Sequence, residues 1–322
     1  MYIQRMTRRA IALLFAAACA SSGDARVPRA GPQGESDAAS AFAAHLGEAF
    51  AARDPQRVAG LFSADATAAL IGEPGEARGR PAIEAAAAAV LDRYGGVRIA
   101  IGRIWISRAA SVIELVLGGH RGGRPVGVAA AVVVTLDEAG RVTALRAYVD
   151  AVTVLGQVDP ARVPEGTELR PVATAPPAGA AVRASRGTAD EAAHLAITNR
   201  IWAALDAHDP AAVMAPTADG YIYIDLAAPR PLDRAGTEQL VARFVTAVDD
   251  FRIADKPVQL AAGDDVVTEM VEHARFRGRP IVLHGLDIKR FASGRVVVEW
   301  QYSNTAELLR QAFGVELSLT RE

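Results

Sequence analysis

Apolar residues recur every three or four positions near the start of two long stretches of the chain. They are Phe42, Leu46, Ala49 and Phe50 in the first stretch, and Ile197, Ile201 and Leu205 in the second. This spacing predicts that each stretch begins with a helix that has one apolar face. An Asp-Pro pair follows each helix, at Asp54-Pro55 and at Asp209-Pro210. Because proline is favoured in the first turn of a helix, each pair predicts the start of a second, short helix.

Farther along each stretch, the pattern changes from helical to extended. A third helix is predicted at Glu84–Tyr94 and at Glu238–Val248. β-Branched residues then dominate, and glycine-containing turns divide them into strands. In the first stretch these strands are Val97–Ser107, Ser111–His120, Arg124–Asp137 and Arg141–Asp150. Helices followed by antiparallel hairpins predict an α+β domain, with the sheet wrapped on the helices.

The two stretches are copies of one another. Residues of the same type recur at a nearly constant offset: Arg80 with Arg234, Glu84 with Glu238, Glu114 with Glu269, and Gly140-Arg141 with Gly294-Arg295. A match that runs from end to end indicates a tandem duplication. We therefore predict two domains, at residues 38–158 and 190–318. Between them, residues 159–189 are rich in proline and alanine, which is typical of an interdomain linker.

The N-terminus has the features of an export signal. Three arginines precede the apolar run at residues 10–18, which is too short to span a bilayer, and Cys19, the chain's only cysteine, follows it. A cysteine there resembles a bacterial lipoprotein signal, which implies lipidation of Cys19; the alternative is cleavage at Ala18-Cys19-Ala20 and release. We predict a signal at residues 1–19, a tether at 20–37, and an exported protein of the cell envelope that meets the membrane only through a lipid anchor.

Composition excludes several classes of function. The formal net charge is -2, and Lys/Arg runs are confined to the N-terminus, so a nucleic-acid partner is not expected. Without cysteine, the predicted domains offer no thiol nucleophile. The sequence contains no cofactor motif, and we expect no cofactor. His273 and His284 are predicted near Glu269, which suggests a metal, but hydrogen-bonded histidines are the simpler interpretation and we expect no metal site.

The order of these motifs resembles a known superfamily. Each copy has a helix, an Asp-Pro pair and a last strand followed by a Gln, at Gln157 and Gln311; the second copy carries W-x-Y-x-N, from Trp300 to Asn304, and L-x-x-Q, from Leu308 to Gln311. This order resembles the nuclear-transport-factor-2-like superfamily, and within it the SnoaL-like group, which includes polyketide cyclases and has ketosteroid isomerase as a relative. The resemblance implies two tandem cone-shaped domains, each with a pocket between the curved sheet and the helices. The superfold hosts many activities, so it does not fix the function.

The resemblance places candidate site residues in the second copy. In ketosteroid isomerase, an Asp base faces an oxyanion hole made of a Tyr and a second, protonated Asp. The matching positions are Asp225 for the base and Asp287 for the second acid, whereas Ile201 replaces the Tyr. The isomerase mechanism therefore does not transfer whole. The residues expected to line the same pocket as ligand contacts are Tyr221, Tyr223, Trp300, Tyr302 and Asn304.

The first copy lacks both acids. Ile71 and Val132 stand at their positions, and Leu46 replaces the Tyr. Arg146, Tyr148 and Asp150 are expected to point inward, and we interpret this copy as a scaffold or a sealed pocket. The predicted strand Val126–Leu136 is apolar on both faces, which indicates that both faces are covered. Since many relatives pair through the outer face of this sheet, we predict that the two domains form an intramolecular pseudo-dimer, and we leave further dimerisation open.

Three hypotheses about function remain. The protein binds a small, mostly apolar molecule in the second domain; or it has an accessory role in the envelope; or it is an acid–base enzyme that uses Asp225 as base with Asp287 assisting. The missing oxyanion Tyr and the first copy without acids favour the two non-catalytic hypotheses. The Tyr and Gln residues repeated in both copies, Tyr148 with Gln157 and Tyr302 with Gln311, also have a structural interpretation, which is that they fix the end of the last strand.

Overall fold

A computed structural model of the chain describes residues 32–319, and the side chains from residue 38 onward. The predicted signal sequence and Cys19 lie outside the described residues, so export and lipidation stay predictions. The described residues divide into two compact units. We call residues 32–149 and 171–185 the first unit, and residues 150–170 and 186–319 the second unit.

The first unit consists of three helices and seven strands. The helices are α1 (Pro32–Ala51), α2 (Pro55–Gly60) and α3 (Gly79–Arg93). The strands are β1 (Phe62–Leu70), β2 (Ala77–Arg78), β3 (Gly95–Ile106), β4 (Ser111–Arg121), β5 (Arg124–Leu136), β6 (Val142–Val149) and β7 (Ala181–Ala184). They form one sheet in the order β2-β1-β6-β5-β4-β3-β7. Strands β3 to β6 are the predicted antiparallel meander.

The second unit has the same plan. Its helices are α4 (Ala151–Val158), α5 (Ala189–Asp206), α6 (Pro210–Met214), α7 (Arg234–Ala247) and α8 (Thr305–Phe313). Its strands are β8 (Thr217–Asp225), β9 (Leu232–Asp233), β10 (Asp249–Ala262), β11 (Asp265–Phe276), β12 (Arg279–Ala292) and β13 (Arg295–Tyr302), in the sheet order β10-β11-β12-β13-β8-β9. The predicted α+β class, with helices leading each sheet, is confirmed. Among residues 32–319, no helix combines the length and the apolar character that a membrane-spanning segment needs.

Both Asp-Pro pairs start helices, as predicted. The side chain of Asp54 accepts a hydrogen bond from the backbone N–H of Arg57 at 2.9 Å, and Asp209 accepts one from Ala212 at 3.0 Å. In each case the proline occupies the first turn, where its missing N–H would have had no partner.

Part of the segment predicted as a linker pairs with the first sheet. Strand β7 pairs with β3 in parallel, and the backbone N–H of Ala173 donates to the carbonyl of Gly127 at 2.9 Å. A Cβ atom at position 127 would lie 2.1 Å from the carbonyl oxygen of Ala173, so only glycine permits this approach. Residues 159–170 belong instead to the second unit. The chain therefore passes from one unit to the other more than once within this region.

Asp150 and Asn304, the repeated polar residues, cap helices within the second unit. The carboxylate of Asp150 accepts hydrogen bonds from the backbone N–H of Thr153 at 2.8 Å and of Thr305 at 2.9 Å. The Asn304 side-chain oxygen accepts from the N–H of Ala306 at 3.2 Å and of Ala151 at 3.3 Å. Each residue thus caps its own helix and binds the first turn of the other helix. This arrangement holds α4 against α8.

Candidate functional site

Strand alternation in β8 and the register of its neighbours place most of the candidate residues on one face of the second sheet. Asp225 lies beside Gln301 on β13, which lies beside Asp287 on β12. Residues directly opposite one another on adjacent strands share a face. Asp225 and Asp287 therefore lie on the same face with one strand between them, which separates their Cα atoms by roughly 10 Å.

A second row of polar residues runs parallel to the first. Tyr223 lies beside Glu299, which lies beside Lys289. The Lys289 ammonium is 3.9 Å from the ring centroid of Trp202 on α5, so this side of the sheet faces α5. We call it the inner face. Tyr221 and Tyr223 are buried there among the apolar side chains of the core.

Four inner-face residues form a buried charged network. The Lys289 ammonium lies 2.7 Å from Oδ1 of Asp287 and 3.0 Å from Oε1 of Glu299. The hydroxyl of Tyr221 donates to Oε2 of Glu299 at 2.7 Å. The side chains of Lys289 and Asp287 are fully buried. Because one ammonium faces two carboxyl groups, only one of the two acids can be balanced as an anion.

The network holds its proton on Asp287. Burial raises the pKa of Asp287 well above its usual range despite the Lys289 ammonium. Burial also acts to raise the pKa of Glu299, but the ammonium and the hydrogen bonds from Asp287 and Tyr221 bring it below its ordinary value. The site therefore contains a neutral carboxylic acid beside a carboxylate–ammonium pair, with a phenol as a further donor. Loss of Lys289 or of Glu299 would leave the other as a buried charge without its partner.

Asp225 lies at the end of β8 in a different environment. Burial raises the pKa of its carboxyl group to about 6, although the backbone N–H of Ala227 donates to Oδ1 at 2.8 Å and acts in the opposite direction. The guanidinium of Arg170 donates to the backbone carbonyl of Asp225 at 2.8 Å. A buried carboxyl group with a pKa near neutrality can accept or give a proton under physiological conditions.

Polar atoms without partners are concentrated around the same face. Within the described part of the chain, the buried atoms without a hydrogen-bond partner around this face are Oγ1 of Thr198 and Nε1 of Trp202 on α5, both carboxyl oxygens of Glu272 on β11, Oδ2 of Asp287 on β12 and Nε2 of Gln301 on β13, whereas Nε2 of His273 is on the opposite face. Register places Glu272 on the inner face, two residues from Met270 and four from Thr268, which lies beside Asp287. Buried polar atoms are nearly always paired in folded proteins, so this group requires an explanation.

Comparison with protein families assigns this architecture. The family model for the SnoaL-like domain matches residues 11–145 and 198–299, which together make up more than half of the chain. The chain belongs to the SnoaL-like family. The two matched segments correspond to the two copies found in the sequence, and the second SnoaL-like unit contains the polar inner face. A search of curated proteins gives no match.

The solved structures that are similar to this chain each match less than half of it. A protein with a ketosteroid isomerase-like fold from Catenulispora acidiphila is 20% identical, with a TM-score of 0.34, and the match covers 37% of this chain and 93% of that chain. An LEH-like epoxide hydrolase from M. tuberculosis is 16% identical (TM-score 0.35; 39% of this chain, 93% of that chain). An NTF2-like protein of unknown function from Burkholderia pseudomallei is 17% identical (TM-score 0.35; 38% and 98%).

Three residues predicted as ligand contacts do not lie on the inner face of this SnoaL-like unit. Trp300 lies beside Ile224 and Ile288, on the opposite side of the sheet from Tyr223 and Asp225. Its ring packs under the guanidinium of Arg290, 5.3 Å away. Tyr302, two residues on, shares the orientation of Trp300, and Asn304 is a helix cap. The expectation that these residues converge with Asp225 was wrong, because the inward positions of β13 are Glu299 and Gln301.

The first SnoaL-like unit has no such polar face. Register places apolar residues at each equivalent position: Ala68 and Leu70 for Tyr223 and Asp225, Val132 and Val134 for Asp287 and Lys289, and Leu145 and Ala147 for Glu299 and Gln301. Leu70, not Ile71, thus stands in the place of Asp225. Arg146 and Tyr148, expected to point inward, have the orientation of Trp300 and Tyr302 and lie on the opposite face. The absence of both acids was predicted correctly from the sequence.

Sequence reasoning missed Lys289, Glu299, Glu272 and Trp202. Lys289 could have been predicted from the sequence, since a residue two positions after Asp287 on a strand lies on the same face. Glu299 and Glu272 required the register between strands, which the sequence does not contain. Within the described residues, no three His, Cys, Asp or Glu side chains are grouped so as to hold a metal ion. His284 instead lies 3.4 Å from Glu307.

Proposed function

We propose that the second SnoaL-like unit binds a small, mostly apolar molecule against its inner face, and that the first unit does not. The observation that carries this proposal is the group of buried polar atoms without partners at Thr198, Trp202, Glu272 and Gln301. The fold places a pocket between the sheet and helices in related proteins, and small-molecule sites combine apolar walls with a few polar groups.

The free-energy cost of leaving these atoms unpaired supports the presence of a bound ligand at this face. A buried polar atom without a partner destabilises a fold by about 1–3 kcal/mol. Four residues with such atoms around one face would together cost a large fraction of a domain's net stability. A ligand that bears one or two polar groups on an apolar body would satisfy several of them. The surrounding side chains, which include Tyr221, Tyr223 and Met270, fit an apolar body.

Replacing Trp202 by phenylalanine tests this proposal. A smaller aromatic ring remains while the indole N–H is lost, so the fold is expected to be retained and one polar contact with the ligand is removed. We expect saturation-transfer NMR of a panel of amines, alcohols and ketones with six to ten carbons, roughly the size such pockets hold, to show binding to the wild type. We expect that binding to weaken in Trp202→Phe.

The matched control is Trp105→Phe, which alters a tryptophan buried in the first unit. Panel compounds should bind this variant as they bind the wild type. Weakening by Trp105→Phe and not by Trp202→Phe would place the site in the first unit and contradict the proposal. A panel without any bound compound would contradict it as well.

Acid–base catalysis is a second candidate, favoured by one observation. The buried carboxyl group of Asp225 has its pKa raised to about 6, which suits a general base. Asp225→Asn separates binding from catalysis: the variant should still bind the panel compounds, whereas any exchange of the α-protons of bound ketones with D₂O should fall at least about a hundredfold. Equal exchange by variant and wild type would end this candidate function.

A further inference from the structure

We infer that the ligand carries a basic nitrogen, and that Glu272 binds it as a cation. This inference rests on the proposed binding function and adds the chemical class of the ligand. It starts from Glu272 because this side chain is a buried acid on β11, one strand from the edge of the sheet, with both of its carboxyl oxygens unpartnered among the described residues. The residue is 0% exposed.

The position of Glu272 directs it toward the proposed ligand. It lies on β11 between Ile253 of β10 and Leu283 of β12. Alternation along β11 gives it the same orientation as Met270, which belongs to the core cluster that also contains Trp202. The phenol of Tyr223 lies within the electrostatic range of Glu272. The carboxyl group thus belongs to the inner face, on the side toward α5.

The charges around Glu272 are also acidic. The groups that act on it are Asp206, the last residue of α5, and Glu307 on α8. Lys289, a basic side chain of the inner face, is bound by Asp287 and Glu299. On α8, Arg310 lies 4.0 Å from Glu307, and on β12 His284 lies 3.4 Å from the same acid. Arg310 and His284 therefore pair with Glu307 rather than with Glu272.

This surrounding favours a cationic ligand over a neutral one. Burial raises the pKa of Glu272 well above its ordinary value, and the negative fields of Asp206 and Glu307 raise it further. Without a ligand, the group is therefore a neutral acid. A protonated amine that binds beside it restores the carboxylate and releases one proton to solvent; an unprotonated amine takes that proton directly. A neutral carbonyl group would leave the field of Asp206 at Glu272 unbalanced.

Aromatic rings on the inner face also favour a cationic ligand. Trp202, Tyr221 and Tyr223 lie on the same side of the sheet as Glu272. Aromatic faces attract cations, most strongly where water is excluded. A ligand with a protonated nitrogen and an apolar body would meet both kinds of contact at once.

Calorimetric titration of benzylamine and of its uncharged counterpart, benzyl alcohol, tests the inference. We expect Glu272→Gln, which keeps the shape of the side chain, to weaken benzylamine binding at least tenfold and to change benzyl alcohol binding less than twofold. Glu238→Gln, an exposed acid on α7, is the matched control and should leave both affinities unchanged. In the wild type, the binding enthalpy of benzylamine should depend on the ionisation enthalpy of the buffer, because a proton is released.

The outcomes separate this inference from the function on which it rests. If benzyl alcohol binds as tightly as benzylamine, or if Glu272→Gln binds benzylamine like the wild type, the amine inference is overturned and the binding function stands. If Glu272→Gln loses both probes, Glu272 has a structural role and the inference again fails. Should that variant not fold, Asp206→Asn provides the second measure, because Asp206 is the first acid whose charge acts on Glu272. Benzylamine binding is expected to fall about threefold with no change for benzyl alcohol, and unchanged benzylamine binding would overturn the inference.

Discussion

Replacing Lys289 by methionine is expected to lower the free energy of unfolding of the second unit by about 3–5 kcal/mol. The ammonium of Lys289 is the group that balances Glu299 and hydrogen-bonds Asp287, at 3.0 Å and 2.7 Å. Methionine fills a similar volume but leaves Glu299 as a buried, unbalanced carboxylate. The variant also loses the contact between the ammonium and the Trp202 ring.

The chain offers a matched control for this variant. Lys256 is the only other lysine, and it makes a surface hydrogen bond to Asn199. Lys256→Met should change the urea midpoint little, since exposed polar contacts contribute below about 1 kcal/mol. Adding Glu299→Gln to Lys289→Met should restore part of the lost stability, because it removes the unbalanced carboxylate. A Lys289→Met variant as stable as Lys256→Met would show that the network contributes nothing.

Replacing Asp225 by asparagine is expected to change how stability depends on pH. The pKa of the Asp225 carboxyl group is about 6 in the folded protein, against an ordinary value of 3.8. Between these two pH values the folded state keeps the proton and the unfolded state releases it. Asp225 therefore favours folding below about pH 4, and this contribution is lost as pH rises through 6, by roughly 3 kcal/mol. Asparagine does not titrate and should not show the loss.

Urea unfolding between pH 4 and pH 8 measures this difference. The wild type and Asp225→Asn should be close in stability near pH 4, and the variant should become more stable than the wild type above pH 6. Glu272, Glu307 and Asp287 also have raised pKa values, so both proteins should lose stability as pH rises. The test is the difference between the two curves. Curves that stay parallel from pH 4 to pH 8 would show that Asp225 titrates normally.

Local patterns in the sequence predicted the fold well. The spacing of apolar residues predicted the first helix of each copy, and the Asp-Pro pairs predicted the short helices that follow. In the structure, Asp54 and Asp209 cap the first turns of these short helices. The duplication supported the prediction for each copy because the same elements recur in the same order. Alternation within β8 correctly placed Tyr221, Tyr223 and Asp225 on one face. These features depend only on neighbours along the chain.

The site was predicted less completely because it depends on pairing between strands. A shift of one residue in register turns every side chain to the other face. The sequence favoured Trp300 and Tyr302 as ligand contacts, whereas the neighbours of Tyr223 and Asp225 are Glu299 and Gln301. The same reasoning misplaced Arg146 and Tyr148 in the first unit. Asp150 and Asn304 looked like site residues because they are polar and repeated, yet both cap helices.

Electron density from crystals grown with the panel compound that binds most tightly would test the central claim most directly. The claim is that the inner face of the second unit, and not the first unit, receives a ligand. The account predicts density for the compound on this face, with a polar atom at about 3 Å from Glu272, Trp202 or Gln301. Density for the compound in the first unit, or an inner face filled only by ordered water, would contradict it.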